Sequence, residues 1–275
     1  MEIPHCHNCG AELGGRYCAE CGQQHVPLPL SLGTLSGELL GVQFVGGAES
    51  KLLRTTLAFF ARPGLLTAEF LAGRRVRYIA PLQIYAAAGT AFFASVALNQ
   101  DGPPLLLRML RTPPKPGTPI PPEARLLDHE LGRHVQRFQA LTREERHDLM
   151  NDTYQRFSGS AMFLLVPAIA ALLWLRYRRA KRTFSEHVIF ALHIQAFAYV
   201  ASLAAVWAPF AWFAAVRWLV LVAIAVYAFL AFRRVYDHRR PRWSTIATFA
   251  GLGAIYAAML VVTIFTLAAI AMMRA

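Results

Sequence analysis

The chain of 275 residues is 56% hydrophobic and only 16% charged, with a mean hydropathy of +0.37. Soluble domains carry about 25% charged residues, so this composition excludes an ordinary soluble protein and predicts a membrane protein. The net charge of +12 would favour a nucleic-acid partner in a soluble protein, but in a membrane protein basic clusters mark cytoplasmic loops.

The first predicted element, residues 1–25, is a zinc ribbon that contains all four cysteines of the chain. Cys6 and Cys9 form one Cys-x-x-Cys pair, Cys18 and Cys21 form the other, and a glycine follows each pair. Two such knuckles bring four thiolates to one tetrahedral Zn2+. Since protein ligands fill all four positions, we expect the zinc to be structural and not catalytic.

Two disulfides and an iron–sulfur site are the alternatives to zinc for the same cysteines. Disulfides need an oxidising compartment, and no cleavable signal peptide precedes the cysteines. A redox pair of the thioredoxin type needs a strand–helix context that is missing here. We expect His5, His7 and His25 to be bystanders, because the cysteines already fill the coordination sphere.

The charge of the ribbon argues against nucleic acid as its partner. Its side chains contribute Glu2, Glu12 and Glu20 against Arg16, a net of −2, and four thiolates around Zn2+ add a further formal −2. Affinity for nucleic acid comes largely from cationic contacts, so we expect no nucleic-acid binding. The ribbon is expected to be structural or to dock to a protein partner.

Residues 26–50 are predicted to form a linker, because Pro27, Pro29 and five glycines weaken any regular structure. Residues 51–78 are then predicted to form two short amphipathic helices with a break at Pro63. The remaining residues, 79–275, are predicted to form a bundle of transmembrane helices.

The first amphipathic helix has an apolar face and a basic face. The apolar face consists of Leu52, Leu53, Leu57, Phe60 and Ala61, and the other face of Lys51, Arg54, Thr55 and Arg62. The two short helices either pack on the protein's own core or lie among anionic lipid headgroups. The second interpretation is favoured, because basic residues flank an apolar face beside a membrane span.

Five apolar stretches are long enough to cross a bilayer, which makes the fold class an all-α polytopic membrane protein with a small N-terminal zinc ribbon. They cover residues 79–98, 159–175, 188–208, 210–232 and 246–272. A kink is expected at Pro167 in the second span and a capping box of Thr183 and Glu186 before the third.

Residues 99–158 are predicted to form an extracytoplasmic loop between the first two spans. Its proline-rich first part is expected to be extended. Two amphipathic helices follow, at about residues 123–140 and 143–157, with a capping box of Thr142 and Glu145 between them.

The basic residues outside the spans predict the orientation. Three segments, Lys51–Arg77, Arg176–His187 and Arg233–Arg242, carry net charges of +5, +4 and +4, whereas residues 99–158 are nearly neutral. With five spans the three basic segments lie on the same side as the N-terminus. The positive-inside rule therefore places the ribbon in the cytoplasm, where thiols stay reduced.

The third span carries a polar stripe of Gln195, Tyr199 and Ser202, with His193 nearby. An ionisable residue inside a membrane invites a functional hypothesis. Polar residues also commonly bond one helix to another, so the stripe is either functional or part of the packing, and packing is favoured.

A set of short motifs runs through the first third of the chain. It consists of Cys6, Cys9, Cys18 and Cys21 with Gly22-Gln23, then Arg54-Thr55, Arg62-Pro63-Gly64, Gly73-Arg74-Arg75, Arg77-Tyr78, Pro81 and Tyr85. In these motifs the chain resembles a family of bacterial zinc-ribbon-headed integral membrane proteins that is catalogued as a domain of unknown function. The resemblance implies a zinc ribbon joined to a bundle in the bacterial cytoplasmic (inner) membrane, and it implies no activity.

Three classes of function follow from these patterns. The predicted one is a non-enzymatic membrane protein whose ribbon docks to a protein partner, a second copy of the chain or its own basic loops. For the last case we expect contact with Arg176–Arg182 and Arg233–Arg242. A small-solute transporter or channel subunit is the alternative, which the lack of an internal repeat weakens. A membrane-embedded enzyme is the third, which the lack of a catalytic motif weakens.

Overall fold

The computed structural model of the protein describes residues 5–25, 48–99, 129–180, 182–209, 212–236 and 242–274. Within these ranges it contains eight α-helices and no β-strand, so the predicted all-α class is confirmed. The helices are α1 (Ala48–Ala61), α2 (Leu65–Leu71), α3 (Pro81–Leu98), α4 (His129–Ala140), α5 (Arg143–Tyr177), α6 (Phe184–Val206), α7 (Phe213–Val235) and α8 (Arg242–Met273).

Five of these helices contain a stretch that is long and apolar enough to cross a membrane, as predicted. The candidate spans are Pro81–Leu98, Arg156–Ala180, Phe184–Val206, Ala215–Val235 and Trp243–Met273. The second span and the amphipathic helix before it were expected as separate elements, but both belong to the single 35-residue helix α5, which includes Pro167. Nothing at the predicted boundary, Ser158-Gly159, is a strong helix breaker, so the helix continues through it.

One of the two predicted capping boxes is present. The Thr142 backbone N–H donates to the Glu145 carboxylate at 2.7 Å, and the Glu145 N–H donates back to the Thr142 hydroxyl at 3.3 Å. At the start of α6, Thr183 is the N-cap residue but makes no side-chain cap hydrogen bond. The Glu186 carboxylate instead forms a salt bridge with the Arg182 guanidinium, four residues earlier, at an N–O distance of 3.6 Å.

The described residues fall into two compact units, and unit 1 consists of Met1–Ala94 and Leu165–Leu252. Its core lies between α6 and α7, which contact each other. The rings of Phe197 and Tyr227 stack at a centroid distance of 3.6 Å, and Phe190 and Phe232 are buried beside them. Aromatic side chains dominate this core, so packing makes most of the contact between the two helices, and a hydrogen bond of 2.7 Å between the His187 Nδ1 and the Tyr236 hydroxyl adds to it at the end of α7.

Helix α2 packs against both α6 and α7. Its Leu66 and Phe70 are buried, and Phe70 contacts Ile189 of α6. The turn before α2 contains Gly64, whose φ of +77° is left-handed and whose position lies so close to α7 that a Cβ would be 2.8 Å from the Ala231 Cα. Glycine is therefore required here both by the backbone conformation and by the close approach.

Unit 2 consists of Ser95–Leu164 and Gly253–Ala275. In it Arg274 donates to the Asp152 carboxylate at 2.6 Å and to the Thr153 hydroxyl at 2.7 Å. Asp152 lies just before the second candidate span and Arg274 just after the fifth, so these two span ends meet. The Arg274 and Arg156 side chains lower the pKa of the Asp152 carboxyl.

Parts of several predicted elements lie outside the described residues. These include most of the linker predicted at residues 26–50, the proline-rich part of the loop predicted at residues 99–158, the start of the helix predicted at residues 123–140 and the middle of the basic segment Arg233–Arg242. Within the described part, α1 begins at Ala48, inside the range predicted as linker, and α4 begins at His129.

Candidate functional site

The N-terminal cysteines lie in two knuckles with the same backbone geometry. In the first, the Cys6 N–H donates to the Ala11 carbonyl at 2.8 Å and the Gly10 N–H donates to the Cys6 carbonyl at 2.9 Å. The same two bonds recur twelve residues later, from Cys18 to Gln23 and from Gly22 back to Cys18, each at 2.9 Å. Gly10 and Gly22 have φ of +80° and +70°, so the glycine after each pair supplies the left-handed turn.

The two knuckles bring the four sulfur atoms together. The Sγ atoms of Cys6, Cys9, Cys18 and Cys21 all lie within 4.8 Å of one another, and all four thiols are free. Cys6 and Cys21 are 3.6 Å apart and Cys9 and Cys18 3.5 Å. A tetrahedron of sulfurs about 2.3 Å from a zinc ion has edges of about 3.8 Å. The cluster therefore fits a tetrahedral metal ion after small shifts of the sulfur atoms.

Backbone amides favour the thiolate form of Cys18, whereas burial raises the pKa of the Cys21 thiol. The Cys21 N–H, and then the Glu20 N–H, hydrogen bond to the Cys18 sulfur and lower the pKa of its thiol to about 7. Thiolates are the form that binds metal. Among the described residues the histidines of the ribbon do not join the ligand group, and the rings of His7 and His25 stack on each other at 6.4 Å.

The ribbon contacts the rest of unit 1 through Gln23. Its side-chain amide donates to the Gly73 carbonyl at 2.6 Å, and its carbonyl accepts from the backbone N–H groups of Arg75 at 3.0 Å and Val76 at 3.4 Å. Gln23 is only 7% exposed, so these bonds are sheltered from water. We call this set of bonds to residues Gly73–Val76 the Gln23 contact.

The Gln23 contact differs from the docking that the charges predict. It lies in the remaining basic segment, Lys51–Arg77, and it uses a neutral amide and backbone groups. In the two loops that were expected to hold the ribbon, Arg182 donates to the Val235 carbonyl at 2.7 Å and Arg234 to the Pro63 carbonyl at 2.8 Å. Exposed opposite charges pair weakly, whereas a buried amide needs fixed partners, which explains why the amide defines this contact.

Two further contacts hold the loop that Gln23 binds. Arg74 forms a bidentate salt bridge with Glu69 of α2, with distances of 2.7 and 2.6 Å, and this hydrogen bonding lowers the pKa of the Glu69 carboxyl. At the other end of the loop, the Ile79 N–H donates to the Thr55 hydroxyl of α1 at 3.0 Å. The loop is thus tied to the ribbon, to α2 and to α1.

The residues of the polar stripe in α6 take part in contacts between helices. His193 lies 3.0 Å from the Thr67 hydroxyl of α2, measured from Nδ1, and both residues are buried. The Tyr199 hydroxyl lies 3.4 Å from the Tyr85 hydroxyl of α3. Gln195 is also buried, whereas Ser202 is partly exposed. These contacts agree with the packing interpretation of the stripe.

Sequence reasoning did not identify Gln23, Thr55 and Thr67 as contact residues. Gln23 and Thr55 stand in the motifs that carry the family resemblance, which was a usable signal. Thr67 had none, because its partner His193 is 126 residues away in the chain.

Comparison with known families matches residues 49–93 to the family described as "Protein of unknown function (DUF3667)". The match begins in α1 and ends in α3, and it contains all the motif residues from Arg54 to Tyr85 but not the cysteines. No curated protein and no solved structure matches the chain.

The Thr67–His193 contact predicts a packing role that can be measured. Thr67→Val removes the hydroxyl and leaves a buried imidazole nitrogen without it, which should destabilise the protein by about 0.6–1.7 kcal/mol, the range for such bonds between membrane helices. Thermal unfolding in detergent should show a lower apparent Tm. Thr56→Val, on the exposed face of α1, is the control and should leave it unchanged. Equal stability of both variants would contradict the packing role.

Proposed function

We propose that the chain is a non-enzymatic, multi-pass protein of the bacterial cytoplasmic membrane whose ribbon binds one structural Zn2+. In that folded form the ribbon docks onto the chain's own basic segment, Lys51–Arg77, at residues Gly73–Val76. The observation that carries the proposal is the Gln23 contact, in which a residue directly after the second knuckle binds three backbone groups of that segment.

Zinc is the metal that best suits the cysteine cluster. Four thiolates in a tetrahedron are a typical structural zinc site, and the ligands leave no position for water or substrate. Cys6 and Cys18 are buried while Cys9 is exposed, so the metal would bind at the edge of the ribbon's small core, beside Leu13. Bound zinc would supply the folding free energy that so small a core lacks.

The ribbon also offers a surface to a protein partner. Glu12 and Glu20 are exposed, and neither belongs to the Gln23 contact. A partner or a second copy with a basic surface could bind there, whereas nucleic acid would be repelled by the same charges. A zinc-loaded ribbon with one face on its own membrane part and another face acidic is suited to docking.

The contacts of the polar stripe support a protein without a transport path in α6. A transporter or channel subunit would use such residues to line a cavity, but His193 and Tyr199 are directed at Thr67 and Tyr85. A hydroxyl beside an imidazole could act as nucleophile and base, but Thr67 and His193 are only 1% and 4% exposed, so the pair is closed to a substrate. These contacts favour the non-enzymatic proposal over both alternatives.

The proposed orientation has the N-terminus in the cytoplasm and the C-terminus outside. The basic segments support it by the positive-inside rule. The Arg274–Asp152 pair agrees with an odd number of spans, because it puts Arg274 on the same side as the residues that precede the second span.

The zinc assignment predicts about one zinc per chain by elemental analysis of the purified protein. Cys18→Ser removes one of four ligands and should lower the zinc content substantially. His25→Ala, which changes an exposed histidine of the same ribbon, is the control and should retain full zinc. Unchanged zinc in the Cys18→Ser protein would contradict the assignment.

The docking proposal predicts different behaviour for two adjacent glutamines. Gln23→Ala removes the amide that covers Gly73–Val76. Arg75 is only 8% exposed in the unchanged protein, so we expect trypsin to cleave after Arg75 several-fold faster in this variant. Gln24→Ala should behave as the unchanged protein, since Gln24 lies outside this contact. Zinc content should stay the same in both variants. If both are cleaved at the original rate, the Gln23 contact does not hold the ribbon.

The orientation predicts the activity of reporters fused after Ala275. A periplasmic reporter such as alkaline phosphatase should be active there, and green fluorescent protein should be dark. The same fluorescent protein fused before Met1 should fluoresce. A fluorescent C-terminal fusion would show an even number of spans and would contradict the proposed orientation.

A further inference from the structure

Helix α1 has two faces with opposite environments. Its inner face, formed by Thr55, Ala58 and Phe59, is buried. The Phe59 ring lies 5.9 Å from the rings of both Phe197 and Tyr227, so the inner face packs on α6 and α7. The opposite side of α1 therefore does not face these helices.

The outer face of α1 is apolar and exposed. Leu52, Leu53, Leu57 and Phe60 are 57%, 61%, 60% and 50% exposed, and the Phe60 ring also makes an edge contact with Phe197 of α6 at a centroid distance of 6.3 Å. We call these four residues the α1 ridge. A continuous exposed apolar ridge on a helix marks a surface for a partner or for a membrane.

The contacts of α1 place it at the depth of a membrane surface. Its Thr55 is bonded to Ile79, two residues before the first candidate span begins at Pro81. Its Phe59 contacts Tyr227, which lies eight residues inside the end of the fourth span at Val235, about 12 Å at a rise of 1.5 Å per residue. Interfacial helices bury their apolar face about 5–10 Å into the boundary between headgroups and acyl chains, so the Thr55 contact lies at this boundary and the Phe59 ring reaches slightly deeper.

The charges near the α1 ridge suit anionic headgroups. Arg54, Arg62 and Arg77 are exposed. The acidic residue of the basic segment Lys51–Arg77, Glu69, is already paired with Arg74. Clustered arginines beside an apolar helical face bind anionic lipid through charge while the apolar residues enter the acyl layer.

From these contacts we propose that α1 is an in-plane membrane helix whose ridge contacts the acyl chains of an anionic lipid leaflet, with Arg54 and Arg62 at its headgroups. The sequence allows both amphipathic helices to be interfacial, but the structure separates their roles. The apolar residues Leu66 and Phe70 of α2 are buried and α2 packs against α6 and α7, whereas the α1 ridge is exposed. This inference does not depend on zinc binding or on the Gln23 contact.

Photocrosslinking in membranes tests the occupant of the ridge. A benzophenone amino acid is placed at Leu53 or Leu57 of the full-length chain, with position Glu12 of the ribbon as the control. After irradiation, mass spectrometry should find phospholipid adducts at both ridge positions, several-fold more than at the control. Crosslinks to a second copy, crosslinks to residues 26–47 of the same chain, or lipid adducts no more abundant than at position 12 would each overturn the proposal.

The headgroup part needs a separate measurement. In nanodiscs, phosphatidylglycerol added to phosphatidylcholine should raise the apparent Tm of the unchanged protein. The rise should shrink in Arg54→Gln/Arg62→Gln and persist in Arg16→Gln, whose exposed arginine lies in the ribbon. An equal rise in both variants, or no rise in the unchanged protein, would overturn the role of these arginines.

Discussion

The position of the ribbon depends on the hydrogen bonds of one buried amide, that of Gln23. A buried amide must find both an acceptor and donors, and here the backbone of Gly73, Arg75 and Val76 supplies them. The second knuckle fixes the backbone of Gln23, because the Gln23 backbone carbonyl accepts the Cys18 N–H of that knuckle. The folded knuckle therefore directs the Gln23 side chain at these groups. The cysteine cluster, the knuckle and the loop are thus linked through neighbouring residues.

The segment matched to a family of unknown function, residues 49–93, contacts the ribbon, α6 and α7. It receives Gln23 at residues 73–76, brings Gly64 against α7 and places Thr67 beside His193. Its α1 also carries the ridge that we assign to lipid. Two motifs of this segment, Arg62-Pro63-Gly64 and Gly73-Arg74-Arg75, therefore lie where α7 and the ribbon contact it.

The elements that depend on local sequence could be predicted. The five spans follow from the length of apolar runs, and the cysteine cluster follows from the spacing of two knuckles. The Gln23 contact could not be predicted in this way, because it joins residues 50 positions apart and carries no charge or period. Charge counting pointed instead to loops whose Arg182 and Arg234 bond to nearby backbone carbonyls.

The capping box expected at Thr183 and Glu186 shows a similar limit of local patterns. The sequence spacing is right and Thr183 occupies the N-cap position of α6 without a side-chain hydrogen bond there, but Arg182 offers the Glu186 carboxylate a charged partner. A charge-assisted contact competes well with a backbone N–H, so the side chain turns to the arginine. The matching box at Thr142 forms, and Glu145 makes its cap there.

Hydrogen–deuterium exchange before and after zinc removal tests the central claim most directly. The Arg75 and Val76 amides donate to Gln23, whereas the nearby Ile79 amide donates to Thr55 of α1. If the metal-loaded ribbon holds this loop, chelating the zinc should speed exchange at Arg75 and Val76 and leave Ile79 unchanged. Equal exchange at Arg75 and Val76 with and without zinc would contradict the claim that the folded ribbon docks there.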